Sequence, residues 1–457
     1  MTTTTTPGLR RGLKVLGTLL ITLSAVTPAS SVFIIAPGVM GQAGTGAFLS
    51  FVLAAVVGVF MAFVYAELAS AYPLSGGEYA VVARTLGRLP GFVTLGLILV
   101  TQLLIIAVIA LGVGTYLAVL FPNLNGPVVG AVTVLAATVL ACFDVKLNAW
   151  VTGIFLAIEL VALLVVSGLG LAQPARPFTD LLAHPVIGDS VPASVGLIGA
   201  ATAVAIFAYN GYGSAVYFGE ETHNPHRGIA RAILWALVIT VVAELLPVTA
   251  VLLGAPSLPD LFGANNMMSY FITARAGSGV NTAISLAVAL AILNAVLAII
   301  LITSRMVFST GRDTAWPRVA SRALATIHPR FGTPWIATLV VGVVGAVFCF
   351  VDEQFLLVVT GTTIVAVYAL LCLGVISGRR NGSTAHAAYR MPLFPVAPVL
   401  ALVALGYVVY ENALDPNTGR PSLYVTVGIA VASVLYYVFV LRRKGNWELH
   451  GPADETG

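Results

Sequence analysis

The sequence predicts an all-α membrane protein of about twelve transmembrane helices, arranged as a 5+5 inverted repeat with unwound helices 1 and 6, plus two C-terminal helices. Three observations predict it: sparse charge, apolar runs of membrane length from end to end, and matched interruptions in two of those runs. Of 457 residues, 59% are hydrophobic and only 9% charged, with a mean hydropathy of +0.99. A soluble domain carries about 25% charged residues because its surface must face water. Here most of the surface must face lipid instead.

The elements follow in order. The Thr2–Thr6 run reads as part of a disordered cytoplasmic tail, 1–14. A first five-helix unit occupies 15–172, with runs near 15–40, 47–71, 92–120, 127–142 and 150–172. A second, inverted unit occupies 193–377, with runs near 193–219, 230–253, 278–302, 334–350 and 355–377. Two further helices, near 393–411 and 422–441, fill 393–441, and 442–457 is a cytoplasmic C-terminal tail. Each run is read as crossing a hydrocarbon core of about 30 Å. Barrel strands would alternate apolar and polar residues, and these runs do not. Cys142, Cys349 and Cys372 all fall within predicted helices without paired spacing, which argues against a disulfide framework or a metal site.

Orientation follows from Lys and Arg in the short loops. With the N-terminus inside, nineteen of the twenty-two basic residues fall on the cytoplasmic side, and only Arg176, Arg275 and Arg420 on the other. The asymmetry supports a multi-pass protein of the inner membrane with both termini cytoplasmic. The net charge of +4 is then a matter of topology, not a nucleic-acid footprint. A cleaved signal peptide over Arg10–Ser31 is the rival reading, but the apolar run continues to Met40, and its removal would spoil the alternation of charge.

Two runs are interrupted. The first is broken at Thr27-Pro28-Ala29-Ser30-Ser31, with Pro37-Gly38 beyond, and the sixth at Phe207-Ala208-Tyr209-Asn210-Gly211-Tyr212-Gly213-Ser214. Pro28 removes a backbone donor, and Gly211 and Gly213 weaken helix continuity. Irregular backbone survives at membrane depth only where it is buried or lines a wet cavity. Interruptions five helices apart are the offset of a 5+5 inverted repeat and point to a site near the midplane. The plainer reading is that Pro and Gly are frequent in membrane helices; it accounts for either break alone better than for the matched pair.

Four local patterns carry a family resemblance. They are Ser30-Ser31-Val32-Phe33 with Pro37-Gly38; Tyr65-Ala66-Glu67-Leu68 with Pro73, Gly76-Gly77 and Tyr79; the 207–212 segment followed by Glu220-Glu221-Thr222-His223-Asn224-Pro225, Arg227 and Arg231; and Ser304-Arg305, Gly311-Arg312-Asp313 and Phe331-Gly332-Thr333-Pro334. In this order they resemble the amino acid–polyamine–organocation permease superfamily over roughly 10–440, with its leucine-transporter-type fold.

The resemblance implies a secondary active transporter that imports an amino acid or related small amine by alternating access. Its substrate would sit between the unwound parts of helices one and six, at Ala29, Ser30 and Ser31, and at Phe207, Ala208, Asn210 and Gly211. Phe207 takes the family's aromatic gate position, or is an ordinary packed Phe. Two departures matter. The family's Gly-Ser-Gly is Ala29-Ser30-Ser31 here, and the acid that many relatives carry two residues after the sixth-helix Gly is Gly213. Loss of that acid argues against a strongly cationic substrate, and Asn210, both donor and acceptor, suits a neutral polar one.

Charged residues inside the spans are functional candidates by default. Glu159 lies in the fifth run, where sodium-independent relatives place a Lys. A carboxylate near the bilayer centre costs about 3 kcal/mol to insert, which favours the neutral acid unless water or a partner reaches it. It is read either as a proton carrier or as a neutral acid bonded to a neighbouring helix. Glu244 in the seventh run is the second candidate for proton coupling, or else it satisfies backbone opened by Pro247. Glu220, Glu221 and Arg227 are read as a cytoplasmic gate, against a solvated loop. Leu286–Ile302 holds only Asn294 among polar side chains, which counts against sodium coupling.

The expected partners are thus a small-molecule substrate, protons and the lipid bilayer, with no cofactor, metal or nucleic acid. An intramembrane enzyme would need a motif such as His-Glu-x-x-His, which the sequence lacks, and all six His fall in loops or tails. A polyamine or amine carrier, an amino acid exchanger and, more distantly, a non-transporting membrane sensor remain as alternatives.

Overall fold

A computed structural model describes residues 12–117, 121, 123–188, 191–416, 419–444, 447 and 449. The predicted tails lie outside these residues up to Arg11 and over most of 442–457, as does the end of the third predicted helix at 118–120. The principal helices are Val15–Val26 (α1), Ala47–Ala71 (α2), Glu78–Leu86 (α3), Arg88–Leu117 (α4), Gly126–Ala141 (α5), Val145–Ala172 (α6) and Val195–Ala208 (α7). They continue as Pro225–Gly254 (α8), Met267–Arg312 (α9), Trp335–Phe348 (α10), Glu353–Asn381 (α11), Val396–Leu414 (α12) and Gly419–Tyr436 (α13). Among the described residues, nine helical stretches are long and apolar enough to cross a membrane, and two shorter apolar helices, α5 and α10, accompany them. The protein is an all-α, multi-pass membrane protein.

The differences from the predicted runs have local causes. The first run is not one helix: α1 stops at Val26, a turn covers Pro28–Ser30, a wide π turn covers Ser31–Ile35, and α-helix resumes at Ala36–Ala43. The eighth run is only part of α9, which extends to Arg312 and is kinked where Gly277 takes φ 81°. The helix α3 went unread because it is short and carries Glu78 and Arg84, so it has no membrane-length apolar signal. A two-residue antiparallel pairing, Val186–Ile187 with Val191–Pro192, is too short to leave a pattern.

The longest helix is also the most buried: 78% of the apolar stretch of α9 is enclosed, against 11% for the stretch that begins with α13. The helices α1, α4, α5, α6 and α10 pack around α9, while α8 lies against α2 and α6, and α11 against α4. The outer surface is apolar, with Trp150, Trp235, Val403 and Phe439 all exposed, as a lipid-facing belt requires. Where α6 and α8 cross, Gly170 and Gly254 face each other, and a Cβ on Gly170 would fall inside the contact radius of the Ala250 carbonyl oxygen. Small residues bring helix backbones this close in membranes.

Gly170→Leu is therefore expected to lower the thermal midpoint of the detergent-purified protein, by an overpacking cost of about 1–3 kcal/mol. An unchanged midpoint would mean that the crossing has room for a side chain at this position.

Candidate functional site

The two interruptions meet in space. Thr27 leaves α1 in the left-handed region, φ 51°, and its hydroxyl donates to Ser30 Oγ at 2.7 Å. The second break follows α7: Gly211 takes φ 116° and presses its backbone against Val26, so that a Cβ there would lie 2.9 Å from the Val26 Cα. Only glycine combines that φ with that approach. One hydrogen bond crosses between the breaks, from Ser31 Oγ to the Ala208 carbonyl at 2.8 Å.

Glu159 of α6 holds the first break from behind. Its Oε1 accepts the Ala29 N–H at 2.7 Å, and its Oε2 has no hydrogen-bond partner among the described residues. The side chain is fully buried. Glu244 of α8 is fully buried too, and neither of its carboxyl oxygens finds a partner among the described residues. Ser31, Glu159 and Tyr209 are among its electrostatic neighbours. Among the described residues its oxygens bond no backbone group, which counts against the alternative that Glu244 satisfies backbone opened by Pro247. Asn294 bonds elsewhere: its amide donates to Ser24 Oγ at 2.9 Å and to the Thr152 carbonyl at 3.3 Å, tying α9 to α1 and α6.

In front of the breaks lies a cavity. It is lined by Ser30, Ser31, Phe207, Ala208, Asn210 and Gly211, six of the seven residues read from the sequence. Ala29 is the exception. Its N–H is turned onto Glu159, so it is not open to a ligand. The rest of the wall is largely aliphatic, with Ile98, Ile105 and Ile109 of α4 and Ile364 of α11.

Asn210 accepts a hydrogen bond from the Tyr368 hydroxyl on its Oδ1, so what it offers the cavity is its amide N–H. Glu353 and Glu78 also line the cavity; each lies at the start of its helix, and the two helices begin at opposite ends of the bundle. Four polar groups here, Tyr65, Glu78, Gln102 and Glu353, were not read as site residues from the sequence. Among them, Tyr65 donates to Glu78 Oε1 at 3.0 Å. A lone Gln within the apolar run Leu99–Ile106 and a Glu directly after Gly76-Gly77 were the available signals. At Gly213 the Tyr65 ring stands where a Cβ would meet it at 2.6 Å, so an aromatic ring fills the space around this glycine.

At the basic end of the bundle the acids are paired, though not as expected. Glu220 accepts from Arg312 at 2.7 and 2.9 Å, and Glu221 accepts from Arg305, with Nη2 to Oε1 at 3.0 Å. Arg305 is completely enclosed. Arg227 forms no ion pair with either acid; it is exposed in the first turn of α8. The expectation that Arg227 completes this network is corrected. The reason is geometric: α9 runs unbroken past 305 and 312, seven residues and about two turns apart, so both face the 220–221 segment. Nearby, Glu67 is clamped by Arg379 at 2.6 and 2.7 Å and by the Met391 N–H at 2.8 Å.

The chain matches the family described as Amino acid permease over residues 13–434. It is 31% identical to an uncharacterized transporter of Mycobacterium tuberculosis, over 88% of this chain and 91% of that protein. It is 24% identical to a branched-chain amino acid permease of Bacillus subtilis, over 87% and 86%. It is also 24% identical to a serine/threonine exchanger of Bacillus subtilis, over 94% and 97%.

Removing one partner of a buried ion pair leaves a bare charge, at a cost of about 3–5 kcal/mol. Glu221→Gln should therefore sharply lower the thermal midpoint, whereas Arg227→Gln should leave it within about 0.5 kcal/mol of the parent. Equal loss in both variants would restore Arg227 to the network.

Proposed function

From the premise that the chain belongs to the amino acid permease family, and so is a transporter and not an enzyme, we propose that it imports a neutral amino acid across the inner membrane with protons, by alternating access. One observation carries this reading: two helix breaks touch through Ser31 and Ala208, and a cavity opens on their common face. Opened backbone in an apolar bundle is costly unless partnered, and here it is kept where a small polar ligand could meet it. The aliphatic wall suits an apolar or small side chain, and the names of relatives, a branched-chain amino acid permease and a serine/threonine exchanger, are consistent with that class. Exchange is the second reading, favoured by the exchanger among them.

The topology proposed is twelve crossings with both termini cytoplasmic. Val15–Ala71 spans 57 residues and as one helix would reach about 85 Å, far beyond a hydrocarbon core of about 30 Å. It therefore counts as two crossings, and α5 and α10 supply the remaining short ones. The breaks then fall in the first and sixth crossings, the arrangement of a 5+5 inverted repeat. The basic loops supply the orientation.

Glu159 is proposed as the proton carrier, with Glu244 beside it. A proton falling through 100 mV releases about 2.3 kcal/mol, enough for roughly fiftyfold accumulation of a neutral substrate. Glu159→Gln keeps an acceptor for Ala29 but cannot release a proton. In proteoliposomes it should still bind substrate yet lose accumulation driven by an imposed pH gradient. Accumulation equal to that of the parent would move the role to Glu244.

Asn210→Ala removes the amide donor from the cavity. In a thermal-shift screen against amino acids and amines, the ligand that stabilises the parent should bind about tenfold more weakly, a loss of 1–2 kcal/mol. Unchanged affinity would place the substrate elsewhere.

A further inference from the structure

A second concavity lies at the basic end of the bundle. Five basic side chains line it: Lys14, His223, His226, Arg227 and Arg231. Among the described residues no acidic one does, and none of the five belongs to an ion pair. Two helices start here, the 12-residue α1 and the 30-residue α8. Neither Lys14 nor Asn224, at their N-cap positions, supplies a side-chain cap, and neither helix has an acid in its first turn.

Each of these features is unfavourable if the concavity stays empty of anions. Helix N-termini carry the positive end of the macrodipole and repel nearby cations. Arg227 and Arg231 stand one turn apart on the same helix, a like-charge spacing that costs a few tenths of a kcal/mol. Elsewhere at this end three acids are already paired: Glu220 with Arg312, Glu221 with Arg305, and Glu67 with Arg379. Nor is the arrangement a loose tail. The Gly12 and Leu13 N–H groups both donate to the Glu221 carbonyl, at 3.0 and 2.9 Å, and the His223 N–H donates to the Leu13 carbonyl at 2.9 Å. That pairing fixes Lys14 beside the start of α8. His226 is fixed as well, by Nδ1 against the Ser70 carbonyl at 2.8 Å, which leaves its Nε2 for another partner.

We infer that this concavity is a phosphate-binding site, in which one phosphate group bridges Lys14 at the start of α1 to Arg227 and Arg231 at the start of α8. Two uncapped helix starts supply backbone dipoles, the arginines supply planar donors suited to phosphate oxygens, and the ligand replaces the carboxylate that the site lacks. The phosphate belongs either to an anionic lipid headgroup, which basic pockets at a membrane face attract, or to a soluble phosphate compound. Either way it ties the first helix to the eighth at the end where Glu221 and Arg305 are buried.

The test measures binding alone, so its outcome is independent of whether the chain transports an amino acid. The full chain in neutral detergent is titrated with dioleoylphosphatidylglycerol, with dioleoylphosphatidylcholine and with inorganic pyrophosphate, and the thermal midpoint is followed. The double variant Arg227→Gln/Arg231→Gln is compared with Arg318→Gln/Arg322→Gln, an equal loss of exposed charge away from the concavity. Phosphatidylglycerol or pyrophosphate should raise the midpoint of the parent and of the 318/322 variant alike. In the 227/231 variant the half-saturating concentration should rise by at least about tenfold. Stabilisation by phosphatidylglycerol alone assigns the site to lipid, and by pyrophosphate to a soluble phosphate. Stabilisation by neither, or an equal weakening in both double variants, overturns the site.

Discussion

Everything in the centre of this protein depends on opened backbone finding its hydrogen bonds inside the bundle. Lipid offers none, and an unpartnered amide there costs several kcal/mol. The first break has Thr27 in the left-handed region and a π turn over Ser31–Ile35, so its amides cannot all follow the helical ladder. Glu159 takes one of them at Ala29, and Ser31 returns a hydroxyl to the second break at Ala208. The two breaks therefore stabilise each other, and the face turned away from these bonds is the cavity wall. A carboxyl on α6 is thus part of the architecture before it is part of any mechanism.

Charge is handled differently at the basic end. Arg305, Arg312 and Arg379 each meet one acid in bidentate geometry, which suits a guanidinium better than an ammonium. Such pairs do little for net stability relative to apolar packing, but they are costly to split. They tie the end of α9 to the 220–221 segment, and α11 to α2. That arrangement is discrete, because a buried pair has no inexpensive intermediate between made and broken. Lys14, Arg227 and Arg231 lie outside these pairs, which is why the same end of the molecule also offers a basic concavity.

Most of the fold was legible because membrane helices write themselves in length and apolarity. The runs at 47–71, 92–120, 127–142, 150–172 and 230–253 sit on α2, α4, α5, α6 and α8, with ends displaced by a few residues. The breaks were legible too, since Pro28 and Gly211 are punctuation that a spanning helix rarely tolerates without a use for it. Partners were not. Nothing local to Arg227 distinguishes it from Arg305, and only the path of α9 decides which of them reaches Glu221. Ala29 reads as a ligand contact because Ser30 and Ser31 beside it line the cavity; its N–H is instead taken by a side chain 130 residues away. Glu78 and Gln102 escaped notice for a related reason: a single polar residue beside an apolar run does not say which way it points.

Glu159 also links the proposed proton to the geometry of the break. Leaving the Ala29 amide without its acceptor costs about 1–3 kcal/mol, and a proton moving through 100 mV supplies about 2.3 kcal/mol. The two are of the same size. A carboxylate is the stronger acceptor for that amide and a neutral acid the weaker, so protonation loosens the bond that shapes the first break, and deprotonation tightens it. Its other oxygen lacks a partner among the described residues, as does each oxygen of Glu244, so a proton added here breaks no hydrogen bond already made at that atom. On the proposed reading the driving force therefore acts on the backbone that forms the cavity wall itself, and no relay to a distant hinge is needed.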